Sequence, residues 1–323
     1  MKDKQKITGL MTAAFIVFTA FSLLPAKAQE YVSISGGSIT GIYYRAAKTL
    51  CALLKESPNH KYNCEGRTAL GSVFNVNALN RKLIHFGFVQ SDRNWQAWNG
   101  KAEWQDRPVT SVRSVLSLHD EVVHIVARAG KNIRTVADLK DKNVNIGNIS
   151  SGQRGNARAI LKVYGLDHKE NFESFSYQQA DTFANFSNGE LDAFFYTVGI
   201  PSRFLGELFA KGNAILLPLE SDKLKSLADQ SPFYHETTIP AGTYQRVDAP
   251  VPALGLKATL MTDATIPDQV VTDLLESLFS NFETFKASHP ALADLTPQHM
   301  TEGLTAPLHS AAEKFFKDKG WLK

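Results

Sequence analysis

The sequence predicts an α/β protein of two domains. Short β-branched or aromatic runs alternate with helical stretches along the chain. Beyond residue 28 there are 295 residues, room for two domains of ordinary size. No internal repeat or low-complexity tract interrupts them.

Residues 31–35 read as the first strand. Residues 43–55 read as a helix, with Ala46, Ala47, Leu50, Leu53 and Leu54 on one apolar stripe. A short helix at 73–80 and a strand at 84–89 follow. Next come a strand at 122–128, a short helix at 136–139 and a strand at 143–147. The helix at 153–164 closes at Gly165, the residue type favoured at a helix C-terminus. A helix at 180–188 precedes a strand at 193–197. Residues 270–285, behind Pro267, predict one long helix, apolar at Val271, Leu274, Leu275, Leu278, Phe282 and Phe285. This alternation implies mainly parallel strand pairing.

The formal net charge of +3 is unevenly placed. Residues 1–28 hold Lys2, Lys4, Lys6 and Lys27 against Asp3. Without those four lysines and one aspartate, 31 basic and 31 acidic residues remain. The rest of the chain is formally neutral and has no block of like charge, which argues against nucleic-acid binding.

Residues 1–28 read as a secretory signal: a basic start, an uncharged stretch at 7–26 with an apolar centre, and then Ala26-Lys27-Ala28, a small-x-small cleavage pattern. The predicted cut follows Ala28 and the mature chain starts at Gln29. An uncleaved anchor is disfavoured, because Thr, Ser and Gly dilute the stretch. Export places Cys51 and Cys64 in an oxidising compartment, which favours a disulfide over two free buried thiols.

Four junctions between strand, loop and helix share one composition: SGGSITGIYY at 35–44, LGS at 70–72, VQSD at 89–92 and GNISSGQRGN at 147–156. The first N–H groups of a helix lack internal partners, and the helix dipole adds positive charge there. Glycine lets a ligand approach, and Ser or Thr adds a donor, so carboxylate or phosphate fits such places. A single Ser or Thr there is commonly only an N-cap. Four together, two of them glycine-rich and far apart in sequence, point to a cleft for a small acid.

Other chemistry is poorly supported. There is no G-x-G-x-x-G, Walker A, G-x-S-x-G or H-E-x-x-H pattern. His119 and His124 flank Asp120 and Glu121, but His124 lies in an apolar strand and reads as a core residue rather than a metal ligand. Trp95 and Trp98, at helical spacing, read as packing residues. No cofactor is expected.

SGGSITGIYY, LGSVFNVNAL, FGFVQSD, HIVAR with VADLKDKNVNIGN, SSGQRGN, LDAFFYTVGIP, TIPAGTY and APLHSAAEKFF follow one another in a familiar order. From about residue 31 to the C-terminus, the chain resembles the TAXI family of extracytoplasmic solute-binding proteins that serve TRAP transporters. The resemblance implies a type II periplasmic-binding-protein fold: two α/β lobes joined by crossover strands near 121–128 and 252–260. Lobe I would combine 29–120 with 255–323, and lobe II would be 121–254. It further implies a periplasmic, monomeric receptor that is not an enzyme. Such a receptor binds a dicarboxylate, 2-oxoacid or glutamate-like amino acid and hands it to a membrane permease. A sensory binding protein for the same ligands is the alternative; an enzyme acting on small acids fits less well.

On that basis the carboxylate would meet Ser38, Thr40, Ser72 and Ser91, with Ser151, Gly152, Gln153 and Asn156 opposite. Tyr43, Tyr44 and Tyr196 would shape the wall. Gln90 and Glu121 complete the expected set. Arg45 stands where the family commonly has proline. It either bonds a second carboxylate or faces solvent, and it and Arg154 are the charges of first interest.

Overall fold

The structure, a computed structural model, describes residues 29–57 and 61–322. The expected signal segment and its cleavage point lie outside the described residues.

The chain opens with β1 (Glu30–Ser35), α1 (Ile42–Lys55), β2 (Tyr62–Arg67), α2 (Ser72–Asn80), β3 (Phe86–Gln90) and α3 (Ser91–Trp98). A long strand β4 (Val112–Arg128) leads to β5 (Asn143–Asn145), α4 (Gly152–Val163), β6 (Glu173–Phe175), α5 (Gln179–Asn188) and β7 (Ala193–Val198). Then come α6 (Arg203–Ala210), β8 (Ala214–Leu216), α7 (Ser221–Asp229) and β9 (His235–Ile239). The second long strand β10 (Val251–Asp263) returns the chain to α8 (Asp268–Ser280), α9 (Phe282–Ala287) and α10 (Ser310–Asp318).

Among the described residues the strands join one sheet in the order β2-β1-β3-β10-β4-β7-β5-β6, with β8 beside β4 and β9 beside β10. Each half repeats one plan. The first has β2-β1-β3 closed by the antiparallel β10, and the second has β6-β5-β7 closed by the antiparallel β4. This is the α/β periplasmic-binding-protein fold. Pairing is mixed rather than mainly parallel: β1–β2, β1–β3, β5–β6 and β5–β7 are parallel, whereas every pair made by β4 or β10 is antiparallel. The two long strands run back between the halves and lie against each other at the centre.

Burial explains the helices. α1 buries Ile42, Ala46, Ala47, Leu50, Leu53 and Leu54. Burying a Leu-sized side chain contributes about 1.5–3 kcal/mol. Cys51 of α1 is bonded to Cys64 of β2 across a Cα separation of 5.0 Å, the disulfide that the export reading favours. Gly165 takes φ +71° after α4, as expected of a terminating glycine. The helix expected over 270–285 is broken. Asn281 sits at φ −124°, ψ 33°, and its Nδ2 donates to Ser277 O at 3.0 Å, ending α8 before α9 starts.

Candidate functional site

Three of the glycine- and hydroxyl-rich junctions, and the start of the fourth, converge on one cavity of about 120 Å³. The first half lines it with Gly37, Ser38, Gly41, Ile42, Tyr43, Ala69, Leu70, Gly71, Ser72 and Gln90, and Glu121 of the central strand β4 faces them. The second half supplies Asn148, Ser151, Gly152 and Gln153 around the start of α4, Tyr177, Gln178 and Gln179 ahead of and within α5, and Tyr196, Thr197 and Val198 of β7.

Local bonds hold these loops. Buried Asn75 of α2 accepts from Ser35 Oγ at 2.7 Å and donates to Gly36 O at 2.8 Å and Phe88 O at 2.7 Å. One side chain thereby fastens the first junction to β3. Ser72 Oγ accepts from Gln90 N at 3.1 Å. On the second half, Asn148 Oδ1 accepts from Ser150 N at 3.0 Å, and Ser151 Oγ accepts from Arg154 N at 3.2 Å as the N-cap of α4. Gly71 sits at φ +117°, where a side chain is strained, and a Cβ there would lie 3.1 Å from Ser151 Cα.

The halves touch around the cavity. Phe74 N donates to Ser150 O at 3.2 Å, Asn148 Nδ2 to Leu70 O at 3.2 Å, and Thr40 Oγ1 to Gln179 Oε1 at 2.7 Å.

The electrostatics combine two positive helix ends with one buried acid. α1 and α4 both start at the cavity, and neither has an acidic residue in its first turn to consume the free N–H groups. Glu121 of β4 is buried, and its Oε2 accepts from Tyr43 OH at 2.8 Å. Burial pushes its carboxyl up to about 7, eased by hydrogen bonds from Tyr43 and Gln90 and reinforced by the nearby Asp92 charge. Tyr43 stacks on Phe88 at 5.3 Å, and burial and Glu121 raise its hydroxyl well above the ordinary tyrosine range. Burial first, then Glu121, raises Tyr196 likewise. Gln90 Oε1 is buried with no hydrogen-bond partner among the described residues.

Of the residues singled out from sequence, Ser38, Tyr43, Ser72, Gln90, Glu121, Ser151, Gly152, Gln153 and Tyr196 line the cavity. Five stand elsewhere. Thr40 is exposed at the rim and bonded to Gln179, and Tyr44 is half-buried without lining. Arg45 is exposed on α1, the solvent-facing one of its two readings. Ser91 is buried where β3 passes into α3, its Oγ accepting from Lys257 N of β10 at 3.1 Å. Asn156 is fully buried and bonded to Asp92, Tyr234 and Thr197. Arg154 also turns away, donating to Gly147 O at 3.2 Å and Ser176 Oγ at 2.7 Å.

Tyr177, Gln178 and Gln179 were missed. They follow β6, a fifth junction between strand and helix, but its sequence SYQQ lacks the glycine found in three of the other four.

His124 is a core residue: its Nδ1 pairs with Val122 O at 2.9 Å, its Nε2 with Tyr244 OH at 3.0 Å, and burial pushes it down to about 4. Trp95 packs on Phe233 at 5.6 Å, and Trp98 is half-buried under Arg113 at 5.2 Å. Among the described residues, no group of three His, Cys, Asp or Glu could hold a metal ion, and no helix is long and apolar enough to cross a membrane.

Solved structures share the fold at low identity. The alkanesulfonate-binding protein SsuA from Xanthomonas axonopodis pv. citri, bound to MOPS, is 14% identical with a TM-score of 0.50, over 92% of this chain and 96% of that one. A Listeria monocytogenes protein assigned to an L-cystine ABC transporter is 13% identical with a TM-score of 0.51, over 85% and 99%. A protein bound to L-arginine is 11% identical with a TM-score of 0.50, over 81% and 90%. A family match across residues 34–320, which takes in both halves of the sheet and every wall of the cavity, shows that the chain belongs to the NMT1-like family.

Proposed function

We propose that this protein is the periplasmic solute receptor of a TRAP transporter of the TAXI type. It binds a small organic acid in the cavity and delivers it to a membrane permease. Residues 29–120 with 255–323 form one lobe and 121–254 the other, and the lobes close on the ligand as a hinge. The receptor works as a monomer by binding and release, without catalysis.

One observation carries this reading: the cavity lies between two helix N-termini from opposite halves, neither with an acid in its first turn. An acid group placed there meets free N–H groups of α1 and α4 with the hydroxyl of Ser38. Glu121, beside Tyr43 and Gln90, faces the rest of the ligand and favours a hydrogen-bond donor there. An ammonium or hydroxyl fits that place better than a second carboxylate. Dicarboxylates, 2-oxoacids and amino acids of glutamate size are therefore the compounds to compare, with the amino acids favoured.

The experiment is a thermal-shift screen of the purified protein against C4–C6 acids and amino acids. A ligand at a hundred times its Kd stabilises by about 2.7 kcal/mol, several degrees in Tm. No shift with any of these compounds sinks the ligand class.

The similar Listeria monocytogenes structure is named for an L-cystine ABC transporter, which favours a second reading of the permease alone. Uptake of the identified acid that stops when the ion gradient is collapsed, with ATP maintained, supports the TRAP partner. Uptake that follows ATP supports the ABC partner.

A further inference from the structure

Behind the cavity, the halves meet a second time through charge. Asp92, on the first turn of α3, is completely buried. From its own half, its Oδ2 accepts from Arg93 Nη2 at 3.0 Å and its Oδ1 from Arg93 N at 2.6 Å. From the other half, Oδ2 accepts from Asn156 Nδ2 at 2.6 Å and Tyr234 OH at 3.0 Å. Thr197 Oγ1 donates to Asn156 Oδ1 at 3.0 Å, which orients the amide so that its N–H faces Asp92. Next to this cluster, Trp95 of α3 packs on Phe233.

Shape adds to the bonds. α4 presents Gly152 and Gly155, three residues apart and so on one face, to the first half. A methyl on Gly155 would overlap the Arg93 guanidinium carbon. That guanidinium cannot swing aside freely, because Asp92 and Glu103, at 2.9 Å, hold it while it is only 2% exposed.

We infer that Asp92, Asn156 and Tyr234 form an interlock that holds the two halves closed without ligand, and that Asp92 thereby sets the cleft's affinity as a positioning residue. This rests on the reading of the halves as closing lobes. None of these three residues lines the cavity. The interlock is built to be reversible. Removing a partner from a buried charge usually strands it. Here the counter-charge Arg93 stays with Asp92 on the same half, itself held by Glu103, so opening exchanges only Asn156 and Tyr234 for water.

The test is small-angle X-ray scattering of the purified, ligand-free protein, beside Tyr234→Phe and Gly155→Ala, with far-ultraviolet circular dichroism of each. Tyr234→Phe deletes one hydroxyl. Gly155→Ala blocks the seating of α4 while improving its helix propensity, so lost closure there is not lost folding. The expected result is a wild-type profile matching the closed arrangement and a larger radius of gyration for both variants, with unchanged dichroism. A wild-type protein already open without ligand, or a folded variant whose profile superimposes on wild type, overturns the interlock. If Tyr234→Phe does not fold, Gly155→Ala alone decides. Because no ligand is added, a failed ligand screen and a failed interlock are separate results. For any acid that does bind, a variant whose closed population falls to a tenth binds about tenfold more weakly.

Discussion

Tyr43 donates to Glu121 Oε2 at 2.8 Å, tying the first turn of α1 to the middle of the long central strand β4. The bond seats a titratable group in the cavity wall, and its partner is a tyrosine whose own ionisation burial suppresses.

The first prediction follows from that group. Glu121 has a folded value of about 7, above its ordinary 4.5. Between these values the native state holds a proton that the unfolded chain lacks. Its contribution to stability is therefore full below 4.5 and is lost as pH rises through 7. The steepest loss is about 1.4 kcal/mol per pH unit. Urea denaturation at pH 5.5 and 8 should show wild type losing more stability over that range than Glu121→Gln. Equal losses would remove Glu121 as the cause.

Asn75 is expected to be indispensable to the first junction. Asn75→Ala leaves Ser35 Oγ, Gly36 O and Phe88 O without their partner in a buried place. At about 1–3 kcal/mol for each buried group left unpaired, the loss is of order 3 kcal/mol or more. Denaturant midpoints at neutral pH measure it.

Ser151 separates capping from binding. Its Oγ accepts from Arg154 N and donates to Asn148 O at 2.7 Å, so both of its hydrogen-bonding roles are used within the second half. Ser151→Ala should cost about 1 kcal/mol of stability. Ser151→Asp should keep the cap but add negative charge at the cavity wall, retaining Tm while weakening binding of the acid found in the screen. Calorimetric titration of both variants checks this, and unchanged affinity in Ser151→Asp would separate the acid site from α4.

The bond between Cys51 and Cys64 closes a loop of 13-residue separation. Cys51→Ser with Cys64→Ser should cost about 3 kcal/mol on the chain-entropy estimate. Reductant should lower the Tm of wild type and leave the double variant unmoved.

Much of this was legible because periodicity and turn chemistry are local. The apolar stripe of α1, the glycine after α4 and the junctions at 35–44, 70–72 and 147–156 are written in neighbouring residues. Longer-range features were not. β4 begins at Val112 rather than 122, because its first half is a strand only by virtue of β10 beside it. Asn156 and Ser91 carry the residue types of a polar site, yet their partners Asp92, Tyr234 and Lys257 are brought by distant segments. Arg45 shows the same limit: a cation one turn into α1 lies on the helix's outer face, and only the packed helix reveals which face that is. Asn281 broke a good apolar period, since its side chain captures a carbonyl that the pattern of Leu and Phe does not register.

The place of β10 has a consequence for how the chain is made. β3 pairs with β1 on one side and with β10 on the other, and α8 and α10 beyond β10 supply much of the apolar cover in the core that contains α1. Until the C-terminal quarter emerges, the opening strands form a sheet with a bare edge and a half-covered face. Contacts this distant in sequence slow folding and leave a sticky edge open meanwhile. The molecule therefore cannot mature one half at a time from the N-terminus, and a chain stopped short of β10 should aggregate rather than persist as a single folded half.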